Sequence, residues 1–415
     1  MIKKRQSGSK LKLFKLFILN QIIALIDLAQ GRIGTFEMDT HFEYSLYDRN
    51  YFENFLEPDS EEFRHIGVCP KLWHVKETLP LLKMWGYPGE EHTITTEDGY
   101  IMSLFRVKPT KENARPVLIL HGYLAAPEIF LIRGKEDLPM VLTDAGYDVW
   151  LGSYRGSHYG RRHVTLTIED DQFWDFSFHE HGYYDAPAMI DHILQVTKSP
   201  RVSCIGHSMG TAAFMVMLAL RPEYNDKINM FVGLGPYAVA RAVMNRPKKF
   251  LHHHFMELVS HNKNTNPTDV FRRRKINPFA GFCWSFPRLC VWTINQILGP
   301  SILDERTLWT LVPVLSAYVV SGSSNKNYFH IVAIKNATFV QYDYGPKENL
   351  VRYNSSNPPA YNLTNVKVPV SLYYGETDEL AGVKVIFSHT GVPGPSPCPL
   401  LSPRPTLGDD AEGIE

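Results

Sequence analysis

Apolar positions along the chain fall into short continuous runs separated by stretches of helical periodicity. Pro116-Val117-Leu118-Ile119-Leu120 and Tyr147-Asp148-Val149-Trp150-Leu151 are nearly unbroken apolar runs, as parallel strands covered on both faces require. Val202-Ser203-Cys204-Ile205 and residues 228–234 repeat the pattern, and residues 368–374 close it, with Pro369 tolerable at the start of a strand. Between these runs, residues 185–197 place Met189, Ile190, Ile193 and Leu194 three and four apart behind Pro187, which predicts an amphipathic helix. Residues 211–220 are Ala, Leu and Met-rich and predict a buried helix. Upstream, residues 93–104 alternate and are β-rich, with Asp98-Gly99 at their centre, a hairpin signal. Strands alternating with helices predict a doubly wound, mostly parallel α/β sheet.

The pattern divides the chain. Residues 79–236 read as the first part of the α/β core and residues 341–381 as its second part. Residues 237–340 break the alternation, carry more aromatic and basic residues, and read as a helical cap or lid over the carboxyl ends of the strands. Residues 32–78 read as a loosely structured lead-in. Residues 1–31 combine Lys3, Lys4, Arg5, Lys10, Lys12 and Lys15 with the apolar run 16–28 and the small residues Ala29 and Gly31, the layout of a signal peptide. An uncleaved anchor and an amphipathic helix are the alternatives. The sequons at Asn336, Asn354 and Asn362 agree with the secretory route and mark expected glycosylation sites.

Composition narrows the function. Lys plus Arg and Asp plus Glu both number 43, so nothing draws the chain to nucleic acid. Five cysteines are too few for a disulfide scaffold, although Cys283 and Cys290 lie close enough to bridge in an oxidising compartment; two free buried thiols are the alternative. The run His252-His253-His254 is not a metal site, because consecutive helical residues do not converge on one point. No metal and no cofactor is called for.

The chemistry centres on Gly206-His207-Ser208-Met209-Gly210, a G-x-S-x-G pentapeptide between a predicted strand and a predicted helix, the setting of a nucleophile elbow. Glycines on either side let strand and helix approach, and Ser208 is the expected nucleophile. The backbone N–H of Met209 and that of Tyr123, in the loop opened by His121-Gly122, are the candidate oxyanion donors. Asp378, just beyond the last predicted strand, suits the triad acid better than its neighbours Glu376 and Glu379.

These stretches carry a resemblance. Tyr87-Pro88-Gly89-Glu90-Glu91, Thr96-Glu97-Asp98-Gly99-Tyr100, Leu120-His121-Gly122, Tyr154-Arg155-Gly156, Phe173-Trp174-Asp175-Phe176-Ser177-Phe178, Gly206-His207-Ser208-Met209-Gly210-Thr211, Gln341-Tyr342-Asp343-Tyr344-Gly345 and Gly375-Glu376-Thr377-Asp378 occur in the order seen in the acid lipases, which include gastric, lysosomal and insect enzymes. The resemblance spans roughly Leu79 to Ala381. It implies an α/β-hydrolase with a helical cap, secreted or lysosomal, that cleaves triacylglycerols or sterol esters at a lipid–water interface. It assigns Ser208 as nucleophile, Asp378 as triad acid, and Tyr123 and Met209 as oxyanion donors. Tyr123 stands where relatives commonly carry Leu.

The resemblance ends before the family's histidine, which follows one more helix and strand. Residues 382–415 instead form a Pro-rich tail in which His389 alone lies downstream of Asp378, too close for a crossover helix. The triad histidine and its helix–strand unit are therefore expected to be missing. Three readings stay open: a lipid ester hydrolase, a catalytically dead lipid-binding member of that family, and a serine hydrolase of another kind.

Overall fold

The computed structural model describes residues 76–237, 283, 286–298, 314–319, 321–333 and 339–373. Asp378, Glu376, Glu379, His389, Asn336, the signal-like segment, most of the cap and the Pro-rich tail lie outside the described residues.

Among the described residues, eight strands form a central sheet. Strands β1 (Gly89–Thr95) and β2 (Tyr100–Val107) form the expected hairpin. Gly99 takes the positive φ of 97° that its turn demands, and the Tyr100 N–H donates to Thr96 Oγ1 at 2.9 Å. Next come β3 (Pro116–Leu120), β4 (Asp148–Gly152), a two-residue β5 (Arg162–His163), β6 (Val202–His207), β7 (Ile228–Leu234) and β8 (Val370–Tyr373). The spatial order is β1-β2-β4-β3-β6-β7-β8, with β5 pairing β2. From β4 across to β8 every pairing is parallel, and the β1–β2 and β2–β4 pairings are antiparallel. The last strand begins at Val370, two residues later than the hydrophobic run. Pro369 has no N–H to give, and its carbonyl instead accepts from Phe231 N–H at 2.9 Å.

Side-chain alternation divides the core into two layers. Leu118, Leu120, Trp150, Cys204 and Phe231 face one way, and Val117, Ile119, Val149, Leu151, Ile205 and Val232 the other. The second face is covered by α1 (Thr78–Met84) and α2 (Leu138–Asp144), which supply Leu81, Leu82, Met140 and Leu142. The first is covered by a long helical segment and by the helix after β6. That segment opens as α3 (Phe178–Glu180) under a capping box formed by Ser177 and Glu180. It passes through a π-helical turn, His181–Asp185, and continues as α4 (Ala186–Thr197). Helix α5 (Met209–Leu220) is buried along nearly its whole length, consistent with its uniformly apolar sequence.

Among the described residues, α6 (Pro287–Leu298), α7 (Asn325–Ala333) and α8 (Pro346–Tyr353) follow. Cys283 and Cys290 form the disulfide that their spacing allowed. Among the described residues, no helix is long and apolar enough to cross a membrane.

One buried ion cluster ties the sheet to its helices. The Arg155 side chain, 1 % exposed, lies in the loop after β4 and donates from Nη1 and Nη2 to Asp98 at 2.5 and 2.9 Å. Its Nε donates to Asp185 at 2.7 Å, and its guanidinium sits 4.0 Å from the Tyr100 ring centroid. The cluster therefore joins the hairpin turn, the β4 loop and the π-turn. Burial alone would raise Asp98, and the Arg155 hydrogen bonds and charge outweigh it, holding the carboxyl below its ordinary range. Replacing Arg155 by Met strands two carboxylates and is expected to lower stability by about 3–5 kcal/mol. Arg155→Lys recovers part of that loss, because an ammonium cannot fork to both partners. Urea denaturation of the three proteins checks the order.

Candidate active site

Strands β3 and β6 lie side by side, while the chain leaves β3 toward β4 on one flank and reaches β6 on the other. Their carboxyl ends thus flank a topological switch point, where open α/β sheets hold ligands. His121 follows β3, and Ser208 follows β6.

Ser208 occupies the single-residue joint between β6 and α5. Its φ of 52° and ψ of −114° are unusual for a residue with a Cβ, a strain on the order of 1–3 kcal/mol. The surroundings impose it. Ser208 N–H donates to Leu234 O and Thr211 N–H to Ser208 O, both at 2.9 Å, and Thr211 Oγ1 donates to Gly206 O at 3.0 Å. The helix starts at Met209, two residues earlier than its apolar run, so Ser208 sits at the positive end of the α5 dipole. Both flanking glycines are sterically required. A Cβ at Gly206 would lie 2.6 Å from the Gly210 carbonyl carbon, and one at Gly210 would lie 2.6 Å from Leu120 O. The strand, single-residue joint and helix expected around the pentapeptide are therefore the local geometry found.

The loop after β3 reaches the same point. A Cβ at Gly122 would stand 3.1 Å from Ser208 Cβ, so the loop touches the serine through bare backbone. Tyr123 comes next, half-buried, its hydroxyl enclosed and its phenol pushed well above the ordinary range by burial. Leu124 has a φ of 59° and its carbonyl accepts from Ser321 N–H at 2.9 Å. The fold thus brings Ser208, Met209 and the Tyr123 loop together. Asp378 lies outside the described residues.

Behind the loop stands an aromatic stack. His181 lies on Tyr154 with ring centroids 4.4 Å apart, and Tyr154 meets the edge of His121 at 4.9 Å. His121 Nδ1 faces Gly122 O at 2.8 Å, and since a carbonyl only accepts, that nitrogen carries the proton. Burial lowers His121 to about 4, so it is neutral near pH 7.

A group of residues invisible to the sequence reading braces the site from the other side. Ser321, Ser323, Ser324, Asn327 and His330 are all buried. Ser321 Oγ accepts from His158 N–H at 3.0 Å, and Ser324 Oγ donates to Phe176 O. His330 stacks on Phe178 at 3.9 Å, donates from Nε2 to Val340 O at 2.9 Å and faces Ser177 Oγ through Nδ1 at 2.9 Å. Burial lowers His330 to about 4. The signal available was a Ser/Asn-rich stretch, which by itself reads only as a loop.

Comparison with known proteins agrees with this geometry. Residues 79–134 match the family described as "Partial alpha/beta-hydrolase lipase region", and residues 115–273 match "alpha/beta hydrolase fold". The chain is 35% identical over 313 residues to Lipase 1 of Drosophila melanogaster, covering 74% of this chain and 69% of that one. It is 33% identical over 322 residues to the lysosomal acid lipase/cholesteryl ester hydrolase of Homo sapiens (73% and 78%). It is 32% identical over 322 residues to the gastric triacylglycerol lipase of Homo sapiens (72% and 78%). Fold, elbow and switch-point site define an α/β hydrolase. Within that class, the chain belongs to the acid lipase family that includes these gastric, lysosomal and insect proteins.

Two outcomes follow from this geometry. Gly210→Ala drives a methyl into the Leu120 carbonyl and is expected to cost about 2–3 kcal/mol, read as a lower urea midpoint. The second concerns pH. Unfolded histidine titrates near 6.5, whereas His121 and His330 titrate at about 4 when folded. Between those values the unfolded chain binds protons that the folded chain refuses. Their contribution is therefore complete above pH ~6.5 and declines toward pH ~4, by roughly 1.4 kcal/mol per pH unit for each. His330→Asn is expected to lower stability at pH 7 while flattening that slope, measured by urea titrations across the range.

Proposed function

We propose that this protein hydrolyses carboxylic esters of lipids, with Ser208 as nucleophile and the Met209 and Tyr123 N–H groups receiving the oxyanion. The observation that carries the reading is Ser208 itself: a non-glycine residue at φ 52°, at the head of a buried helix and against the bare backbone of Gly122. Strain of this kind persists where the surroundings over-determine it, and here it lifts a hydroxyl over the carboxyl ends of β3 and β6.

Attack of Ser208 Oγ on the acyl carbon, its proton passing to a base (His389, downstream of Asp378, or solvent), would give a tetrahedral intermediate whose oxygen lies between the two N–H groups. Collapse expels the alcohol, which takes up that proton, and leaves an acyl-serine, which water then cleaves. The triad acid in this reading is Asp378, supported by its place beyond β8 and by the family resemblance. The relatives' names support a lipid substrate, triacylglycerol or cholesteryl ester. Phe286, Leu289 and Trp292 on and beside α6 are 59 %, 50 % and 57 % exposed, an apolar surface suited to a lipid–water interface. The Cys283–Cys290 bridge and the sequons at Asn354 and Asn362 support passage through the secretory route, to a secreted or lysosomal destination.

Labelling of the full chain by a fluorophosphonate ester tests the proposal, since only an activated serine reacts. Labelling of the wild type with none in Ser208→Ala is the expected result, together with a loss of ester hydrolysis of at least about 10³-fold. A folded wild-type protein that neither labels nor hydrolyses a triacylglycerol emulsion would sink the reading and leave lipid binding without catalysis.

A further inference from the structure

Asn327 is fully buried on α7, and its amide nitrogen donates to two acceptors: Ser323 Oγ at 2.9 Å and Met209 Sδ at 3.3 Å. A thioether sulfur accepts and never donates, so the nitrogen of the amide must face it. Met209 is the residue directly after Ser208 and the first of α5. Its side chain has three rotatable bonds and would otherwise adapt freely to its surroundings.

The Ser208–Met209 peptide has reason to move. Ser208 is strained at φ 52° and ψ −114°, and rotation of the following peptide relieves that strain while swinging the Met209 N–H away from the acyl oxygen. Two contacts oppose the rotation. Thr211 N–H holds the carbonyl of that peptide at 2.9 Å, and Asn327 holds the Met209 side chain. The segment carrying Asn327 also steadies the other donor loop, because Ser321 N–H is bonded to Leu124 O, one residue beyond Tyr123.

We propose that Asn327 is a positioning residue for the oxyanion hole, acting through the Met209 sulfur. The inference rests on the hydrolase reading above. It assigns to α7 a role in the rate of acyl transfer, separate from any role in substrate binding.

Kinetics on p-nitrophenyl butyrate with the full chain test it, using Asn327→Leu, Met209→Leu and the double variant. Asn327→Leu keeps the number and branching of the side-chain heavy atoms and removes the donor; Met209→Leu keeps the main-chain N–H and removes the acceptor. Loss of a whole oxyanion donor costs about 10²–10³ in kcat, so a misaimed one is expected to cost roughly tenfold, with KM changed less than about twofold. The double variant is expected to match the single ones, since both remove the same contact. A kcat for Asn327→Leu within about twofold of wild type overturns the inference, and so do single effects that multiply in the double variant. If Asn327→Leu does not fold, Met209→Leu decides alone: unchanged kcat overturns the inference, and a tenfold fall at constant KM supports it. Absence of turnover and of fluorophosphonate labelling in the wild type overturns the hydrolase reading itself, and this inference with it.

Discussion

Closeness between β6 and α5 is the constraint on which the rest depends. The strand and the helix are joined through one residue, and their backbones touch at Gly206 and Gly210, while Gly210 also abuts the last carbonyl of β3. No side chain fits in either place. That contact forces Ser208 out of the ordinary backbone regions, puts it at the helix N-terminus, and brings the loop after β3 to within van der Waals reach. The strained serine, the dipole and the adjoining Gly122 loop are thus consequences of a single steric arrangement. The strain it stores is small against the burial of β3, β6 and α5, whose side chains are almost entirely withdrawn from water.

A strained joint stays in place only if its surroundings are stiff, and two polar systems supply that stiffness. On one side, Arg155 binds Asp98 and Asp185, and the neighbouring Tyr154 carries the stack from His181 to His121. On the other, the stretch from Ser321 to His330 bonds to the loops at Leu124, His158, Phe176 and Ser177 and to the Met209 side chain. Burying so many polar groups is costly unless each finds a partner, and most of them do. The π-turn at residues 181–185 belongs to the first system, directing the Asp185 carboxylate at Arg155 where a regular turn would aim it elsewhere.

What was legible in the sequence follows from range. The runs at β3, β4, β6 and β7 announced themselves because both faces of those strands are buried, and Asp98-Gly99 announced the hairpin through local turn chemistry. The elbow was legible for the same reason, since Gly206 acts on Gly210 and Thr211, within five positions, whereas the contact of Gly210 with Leu120 is long-range. Helix α2 was missed: it is seven residues long and has Pro139 in its first turn, so it offers too few turns for a period to show. Strand β5 has two residues and no period at all. The bracing residues 321–330 were illegible because Ser and Asn acquire their meaning from distant partners. Arg155 was legible only as part of a motif, because its carboxylates come from Asp98 and Asp185, 57 and 30 positions away.

That same long range has a kinetic meaning. The bonds from the segment near Ser321 to the site join residues more than a hundred positions apart, as in Asn327 to Met209, 118 positions, and Ser321 to His158, 163 positions. Closing loops of that length must wait until the sheet already holds their ends near one another. The β3–β6–β7 scaffold can therefore consolidate early, while the pocket takes its working shape only when the segment near Ser321 docks. Until then the site lacks its bracing, a state open to association with other unfinished chains. In that order the last part to assemble is the candidate site.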